Sequence, residues 1–370
     1  MTTVDWKALK PHVPLSPGSV EYVERTGSSG DEIAQWILAD RSPLLVGGPA
    51  GVGKSTELAR AAELLQPDRV ACLVQLDRFE NMRRLTPDRM RLRIAQKVGY
   101  IAQEVLHLPL SASLKNALDK VNAELRGESV THEATPSVLL NVALTEITRI
   151  SKQGQLTLLI DGLEKVPQGP EALELFDALG ALPAEVELVV VIPWHAAFGP
   201  LAETVILPGE RFIPVRAVEV EGEAGEPGRE FLRRILLRRL QLHEESLDAS
   251  QRALVDEAIQ WSGGIPRTLL QLMADAGSYA KLGRGDAWPN AEDTGDARAD
   301  QIDSYRRLFL RGDIEAIRAA VGTSGTELDL DRKVRLMAHG VLLERLRDGV
   351  PVLRLAPLAE VALERGASHA

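Results

Sequence analysis

Gly48-Pro49-Ala50-Gly51-Val52-Gly53-Lys54-Ser55 is the stretch on which the reading of this chain turns. It matches the pattern glycine, four residues, glycine, lysine, serine or threonine in full. Each part has a physical task. The glycines let the backbone curl so that successive N–H groups point inward at phosphate oxygens. The helix that follows presents its positive end to the same phosphates. Lys54 is a mobile cation with the reach to meet the β- and γ-phosphates, and the Ser55 hydroxyl is a Mg²⁺ ligand in waiting. Thr56 belongs with this loop. The expectation is a nucleoside triphosphate, read as ATP with Mg²⁺.

The flanks agree. Pro43–Gly48 is a short apolar strand that ends in glycines, and Lys54–Leu65 has helical spacing with Leu58, Ala61, Ala62 and Leu65 on one side. Outward from there, strands are expected at Val70–Leu76, Leu156–Ile160 and Glu187–Ile192. Helices are expected at Glu32–Ala39, Thr86–Leu106, Ser113–Leu125, Ser137–Ser151 and Glu171–Leu179. Strand and helix alternate, which predicts an α/β fold: a parallel sheet with helices on both faces. After residue 215 the chain becomes mostly helical, with helices at Arg229–Leu242, Ser250–Ser262 and Pro266–Leu282. The last section reads as helices at Asp303–Arg311, Asp313–Val321 and Glu327–Ala338. A hairpin follows, Val341–Arg347 and Val350–Leu355 around Asp348-Gly349, and then a final helix from Pro357. The domain plan is an irregular arm over 1–30, the sheet domain over 31–215, a helical lid over 216–283, a polar linker over 284–300 and a winged-helix-like domain over 301–370.

Two further places carry chemistry. The strand Leu156-Thr157-Leu158-Leu159-Ile160 ends in Asp161, a carboxylate placed to hold Mg²⁺ through water, and Glu164 follows as the candidate to polarise an attacking water. Ser262-Gly263-Gly264-Ile265-Pro266-Arg267 lies between two helices. Its glycines and Pro266 allow close approach to a nucleotide, and Arg267 is a candidate partner for the terminal phosphate.

These three motifs together resemble the AAA-type P-loop NTPases, nearest the STAND group with its NACHT-type members and the origin-recognition-like ATPases. The resemblance covers roughly residues 30–282 by motif order and 300–370 by pattern. It implies a P-loop NTPase sheet domain followed by an α-helical lid and a winged helix. It implies phosphate contacts by Lys54, Mg²⁺ coordination by Ser55 and Asp161, and nucleotide sensing by Pro266 and Arg267. Two positions depart from the pattern. Lys165 stands where NACHT-type members often have a further acid, and His195 follows a strand where many relatives carry a γ-phosphate sensor.

Composition limits the alternatives. The formal net charge is −10, which disfavours broad attraction to nucleic acid or anionic membrane, although DNA stays among the candidate partners. No apolar run approaches the roughly 18 residues of a membrane span. The N-terminus lacks the basic start and apolar run of a signal peptide, so a cytoplasmic location is expected. Cys72, the single cysteine, lies in an apolar run and reads as a small buried hydrophobe. Arg229, Arg233, Arg234, Arg238 and Arg239 stud one predicted helix and read as a solvated face. The helix Glu327–Ala338 mixes acids and bases, which fits protein contacts better than duplex DNA. The expected function is a regulatory switch ATPase whose nucleotide state governs domain arrangement and contacts with a protein partner or with further copies of itself. The rival readings are a DNA-associated loader or initiator ATPase and a nucleotide-gated scaffold with little turnover.

Overall fold

A computed structural model of the chain describes residues 4–131, 133–197, 211–285, 288–325 and 327–367. The fold separates into two units that interleave along the sequence. One comprises Ser29–Gly47 and Glu57–Pro214; the other comprises Met1–Ser28, Gly48–Thr56 and Val215–Ala370.

The first unit is built on a five-stranded, all-parallel sheet. Its elements are α1 (Ser29–Leu38), β1 (Leu44–Gly47), the body of α2 (Lys54–Leu65), β2 (Val70–Gln75), α3 (Pro87–Tyr100), α4 (Ala112–Leu125), α5 (Pro136–Ile150), β3 (Leu156–Asp161), α6 (Pro170–Gly180), β4 (Val186–Val191), the short α7 (Trp194–Ala197) and β5 (Arg211–Pro214). The strand order is β2-β3-β4-β1-β5. Leu44 pairs with Val189, Leu159 with Val189, and Gln75 with Asp161, so all C-terminal strand ends lie along one edge. Gly47 and Asp161 end β1 and β3 on that edge, with β4 between them. Strand residues alternate between faces, and both sets are buried. Cys72, Leu158 and Val190 join a core with Met90, Ile94, Leu140, Leu144 and Ile147, while Val46, Leu159, Val189 and Val191 on the opposite face are equally buried. The sheet with its flanking helices is a P-loop NTPase fold.

Three local readings change. The helix at the start begins at Ser29 rather than Glu32, because the Glu57 carboxylate accepts from the Gly30 N–H at 2.7 Å and satisfies a first-turn donor from outside. The long helix expected over 86–106 keeps α-helical form only to Tyr100, with Thr86 as its cap; Ile101–Val105 is a π-helical turn. β5 was not foreseen. Four residues with one proline carry almost no period signal, and the strand is defined by pairing to β1, with Val46 opposite Ile213.

The second unit is helical with one hairpin. It contains α8 (Glu226–Leu240), α9 (Ala249–Trp261), α10 (Pro266–Arg284), α11 (Ala291–Arg306), α12 (Asp313–Ala320), α13 (Leu330–Ala338), the antiparallel strands β6 (Leu342–Arg347) and β7 (Val350–Leu355), and α14 (Pro357–Ala367). Asp348 and Gly349 both have positive φ, 53° and 78°, the two-residue turn the sequence suggests. The 284–300 stretch expected as a linker is helix from Ala291 onward. Asn290 and Asp293 form a capping box there, and Ala297 and Ile302 are buried. The helix expected at 303–311 is therefore the end of α11.

The N-terminal arm is irregular apart from a single turn at Trp6–Ala8, yet it is anchored. Trp6 and Leu9 are buried in the α8–α10 core. A Cβ on Gly277 would sit 2.2 Å from the Trp6 ring, and the Trp6 and Trp288 rings meet edge to face at 5.2 Å. The arginines of α8 are not all on a solvated face: Arg234 is exposed, but Arg229, Arg233 and Arg239 are not. Arg239, 6% exposed, donates to the carbonyls of Lys10 and Val13 at 2.8 and 3.2 Å, and Arg238 donates to the Tyr22 carbonyl at 2.5 Å. Arg233 pairs with Glu230 and Asp256. Among the described residues, no helix is long and apolar enough to cross a membrane.

Candidate nucleotide site

β1 runs out at Gly47 and α2 begins at Lys54, so the segment Gly48–Gly53 is the loop the motif predicts. Gly51 and Gly53 have φ of 87° and 104°, values that L side chains rarely adopt. Space excludes a side chain as well. A Cβ on Gly48 would lie 2.4 Å from the Val215 carbonyl oxygen, and one on Gly51 would lie 2.5 Å from Cβ of Arg267. Lys54 is 7% exposed and donates from Nζ to the carbonyls of Gly48 and Pro49 at 2.9 and 3.1 Å, which folds the lysine back over its own loop.

The same unit brings two distant segments to this loop and ties a third to the first of them. The first is the turn before α10. Gly263 and Gly264 have φ of 58° and 79°, and the Gly264 carbonyl accepts from the Val218 N–H at 3.0 Å. A Cβ on Gly264 would fall 1.8 Å from the Val218 carbonyl oxygen, so only glycine fits. Pro266 then starts α10, and the Arg267 N–H donates to the Gly51 carbonyl at 3.3 Å. The Arg267 side chain donates from Nε to the Pro11 carbonyl at 3.3 Å. The second segment is the end of α13. The Ala50 N–H donates to the Ala338 carbonyl at 2.9 Å, and Gly340 lies against Ile265. The third is β6. Arg345 donates to the carbonyls of Ala217, Val218 and Gly263 at 2.7 to 2.8 Å. Burial lowers the Arg345 pKa, with Glu219 and Glu221 opposing.

Neither a family model nor a curated protein matches the sequence. Solved structures do. A Walker-type ATPase of Pyrococcus abyssi superposes with a TM-score of 0.54 at 15% identity, over 94% of this chain and 100% of that one. This chain has the fold of a Walker-type, P-loop ATPase. The Aeropyrum pernix ORC1 protein in complex with DNA (TM-score 0.46, 18% identity, 99% and 98% covered) and the Thermotoga maritima RuvB Holliday junction branch migration motor (0.42, 12%, 95% and 98%) superpose less well.

In this Walker-type fold the second acidic motif belongs to the sheet unit. Asp161 closes β3 and is 2% exposed. Gly162, with φ 102°, turns the chain under Asp77, where a Cβ would meet the Asp77 amide nitrogen at 2.9 Å. A single 3₁₀ turn over Leu163–Lys165 follows, with Leu163 fully buried and Glu164 half-buried. Lys165, where the resemblance leads one to expect a further acid, is ion-paired with Asp77. The side chain of His195 lies outside the described residues. Among the described residues, no group of three or more His, Cys, Asp or Glu side chains is placed to hold a metal. The Ser55 hydroxyl and the Asp161 carboxylate are each hard oxygen donors of the kind Mg²⁺ takes.

The structure has the loop between a strand and a helix, Asp161 at the end of a strand and the Gly-Gly-Ile-Pro-Arg turn before a helix, as the sequence predicts. The sequence does not single out Ala338, which meets the loop through its carbonyl, or Arg345, which sits in a hairpin with other arginines and has no motif around it.

Proposed function

We propose that this chain is an ATP-binding and ATP-hydrolysing switch in which the occupant of the Gly48–Ser55 loop governs the arrangement of the helical unit. The observation that carries the reading is the Ala50–Ala338 hydrogen bond. An amide expected to face phosphate is occupied by a carbonyl from the end of α13. Phosphate and the Ala338 carbonyl compete for one donor, so nucleotide binding and the docking of the C-terminal segment are linked in free energy.

In this reading Lys54 leaves the carbonyls of Gly48 and Pro49 and turns to the β- and γ-phosphates. The loop amides and the start of α2 hold the phosphate chain by charge and geometry. Ser55 and Asp161 would hold Mg²⁺, which neutralises phosphate charge when bound. Glu164 orients water, and Thr56 and Pro266 line the nucleotide. Arg267 is coupled to the loop through its own N–H, so a shift of Gly51 is felt directly at the start of α10. Hydrolysis, on this account, is charge stabilisation and positioning. The winged-helix-like segment over 301–367 turns toward protein or toward another copy of the chain. Its basic side chains on α13 are engaged internally: Arg332 and Arg335 both pair with the fully buried Asp313, and Lys333 donates to the Ser324 carbonyl. That leaves little free charge for duplex DNA.

The test is steady-state ATP hydrolysis by the whole chain, with a Lys54→Ala control, with and without duplex DNA, beside scattering and mass measurements in ATP and ADP. Lys54→Ala is expected to lower turnover ~10²-fold or more, in line with the loss of one transition-state charge donor. Scattering profile or oligomeric state is expected to differ between ATP and ADP. Identical profiles and masses in the two states would refute the switch, and DNA-stimulated turnover would favour a loader.

A further inference from the structure

The sheet unit carries a concavity of its own. A cleft of about 480 Å³ opens beside the end of β2, between α3, the π-helical turn and α4. Its volume falls within the roughly 300–1,000 Å³ of small-molecule sites. The floor forms because Gly99 lets α4 approach closely: a Cβ there would lie 2.6 Å from Leu118 Cδ1.

The lining is of two kinds. Phe79 and Tyr100 present aromatic rings that are 66% and 53% exposed, an uncommon cost for side chains of that size. Each ring has a cation over it, Arg93 at 5.6 Å from the Phe79 centroid and Lys97 at 5.1 Å from that of Tyr100. The two cations differ in what holds them. Arg93 is committed to Glu80, to the Gln96 side chain and to the Phe79 carbonyl. Lys97 has no ion pair among the described residues, and neither has Arg78 on the same wall. Gln96 and Asn122 are hydrogen-bonded to each other at 2.9 Å and supply amide groups to the interior. The π-helical turn reshapes the rim: Leu106 N–H bonds back to the Ile101 carbonyl, and Gln103 and Glu104 reach the cleft from it. A π-turn inside a helix is most often kept where a site needs it.

From open aromatic faces, uncommitted cations and interior amides in one cleft, we infer that this is a second ligand site, separate from the Gly48–Ser55 loop, for a planar anionic ligand of the nucleotide class. The base stacks on Tyr100 or Phe79, its edge meets the amides of Gln96 and Asn122, and the phosphate meets Lys97 and Arg78. Base stacking on an aromatic side chain is sequence-tolerant, and cations beside the ring serve the phosphate. The same chemistry is offered by a free mononucleotide and by the end of a single strand. The inference does not depend on the chain hydrolysing ATP.

The test uses the full chain carrying Lys54→Ala, which removes phosphate binding at the loop. Fluorescent mononucleotides and a fluorescent twelve-residue oligothymidine are titrated by anisotropy. Saturable binding is expected, weakened about tenfold by Lys97→Gln and by Tyr100→Ala, and kept within about twofold by Tyr100→Phe, which retains the ring. Circular dichroism melts of each variant establish that it is folded. Tighter binding of mononucleotide identifies a free nucleotide as ligand, and tighter binding of the oligomer identifies a strand; either supports the site. Binding that is indifferent to both Lys97→Gln and Tyr100→Ala in folded protein overturns it, as does the absence of binding by every probe at millimolar concentration.

Discussion

The backbone amide of Ala50 donates to the carbonyl of Ala338 across 2.9 Å, joining the third residue of the phosphate-binding loop to the last residue of α13. One bond of this kind is worth about 0.5–1.5 kcal/mol net, which is enough to change an equilibrium by about two- to tenfold. It gives the C-terminal segment a measurable hold on the loop.

Gly340, two residues on, has φ 69° and would place a Cβ 3.0 Å from Ile265 Cδ1. Gly340→Ala should cost about 1–2 kcal/mol through the left-handed backbone and loosen the Ala338 contact. Gly349→Ala is the control, since Gly349 has φ 78° with nothing within 4 Å. Both variants should melt earlier. Only Gly340→Ala should bind nucleotide more tightly, by up to about tenfold, as read by isothermal titration. Equal affinities in the two would show that the α13 contact does not oppose nucleotide.

Arg345 is the single donor to three carbonyls drawn from two segments, Ala217, Val218 and Gly263. Arg345→Met leaves those acceptors without it and should lower stability by about 2–3 kcal/mol in urea denaturation. Arg345→Lys should recover less than half, because an ammonium point charge cannot span the fork of a guanidinium. Full recovery by lysine would mean that charge alone matters at this position.

Arg239 ties the arm to α8 through the Lys10 and Val13 carbonyls. Arg239→Met keeps the apolar stem and removes both bonds. Limited proteolysis should then cut within residues 10–25 several-fold faster, while fragments from the sheet unit keep their wild-type rate of appearance. An unchanged cleavage rate would mean that Trp6, Leu9 and the bonds from Arg238 and Arg267 hold the arm without Arg239.

Burial pushes the Cys72 thiol up to about 12 from an ordinary 9.0, with Lys97 pulling weakly the other way. The raised value sets the sign. Below pH 9.0 the thiol is neutral whether the chain is folded or not, and its contribution is flat. Above pH 9.0 the unfolded chain ionises first, so stability falls as pH climbs toward 12. A maleimide at pH 8 should label Cys72 only at the rate of opening of the sheet core, and Cys72→Ala should flatten the alkaline loss of stability. Rapid labelling of folded protein would contradict that burial.

Much of the nucleotide loop was legible because its chemistry is local. A glycine that takes positive φ, a lysine that folds back over its own loop and a helix that begins at Lys54 all lie within a few residues of one another. The alternation of strands and helices was legible for the same reason. What escaped reading has its cause far along the chain. β5 is a strand only because β1 lies beside it. The helix Ala291–Arg306 hides in a polar sequence because its buried side chains, Ala297 and Ile302, are few and its Asn290 cap resembles a loop residue. Arg238 and Arg239 of α8 looked like part of a solvated face because their acceptors are main-chain carbonyls of residues 10–22, which no side-chain pattern announces.

The interleaving of the two units has a consequence for how the chain is made. The loop is synthesised before the groups that close around it, which come from residues beyond 215 and, at Ala338, later still. A ribosome-bound chain that has completed the sheet unit therefore displays Gly48–Thr56 with none of its later neighbours. Contacts this distant in sequence form slowly, because the ordering of a long intervening chain precedes any gain from them. During that interval the nascent loop is accessible to phosphate without competition from Ala338. A nucleotide captured then would be part of the surface on which the later segments of the loop's own unit settle, making the ligand a participant in maturation before it is ever a signal.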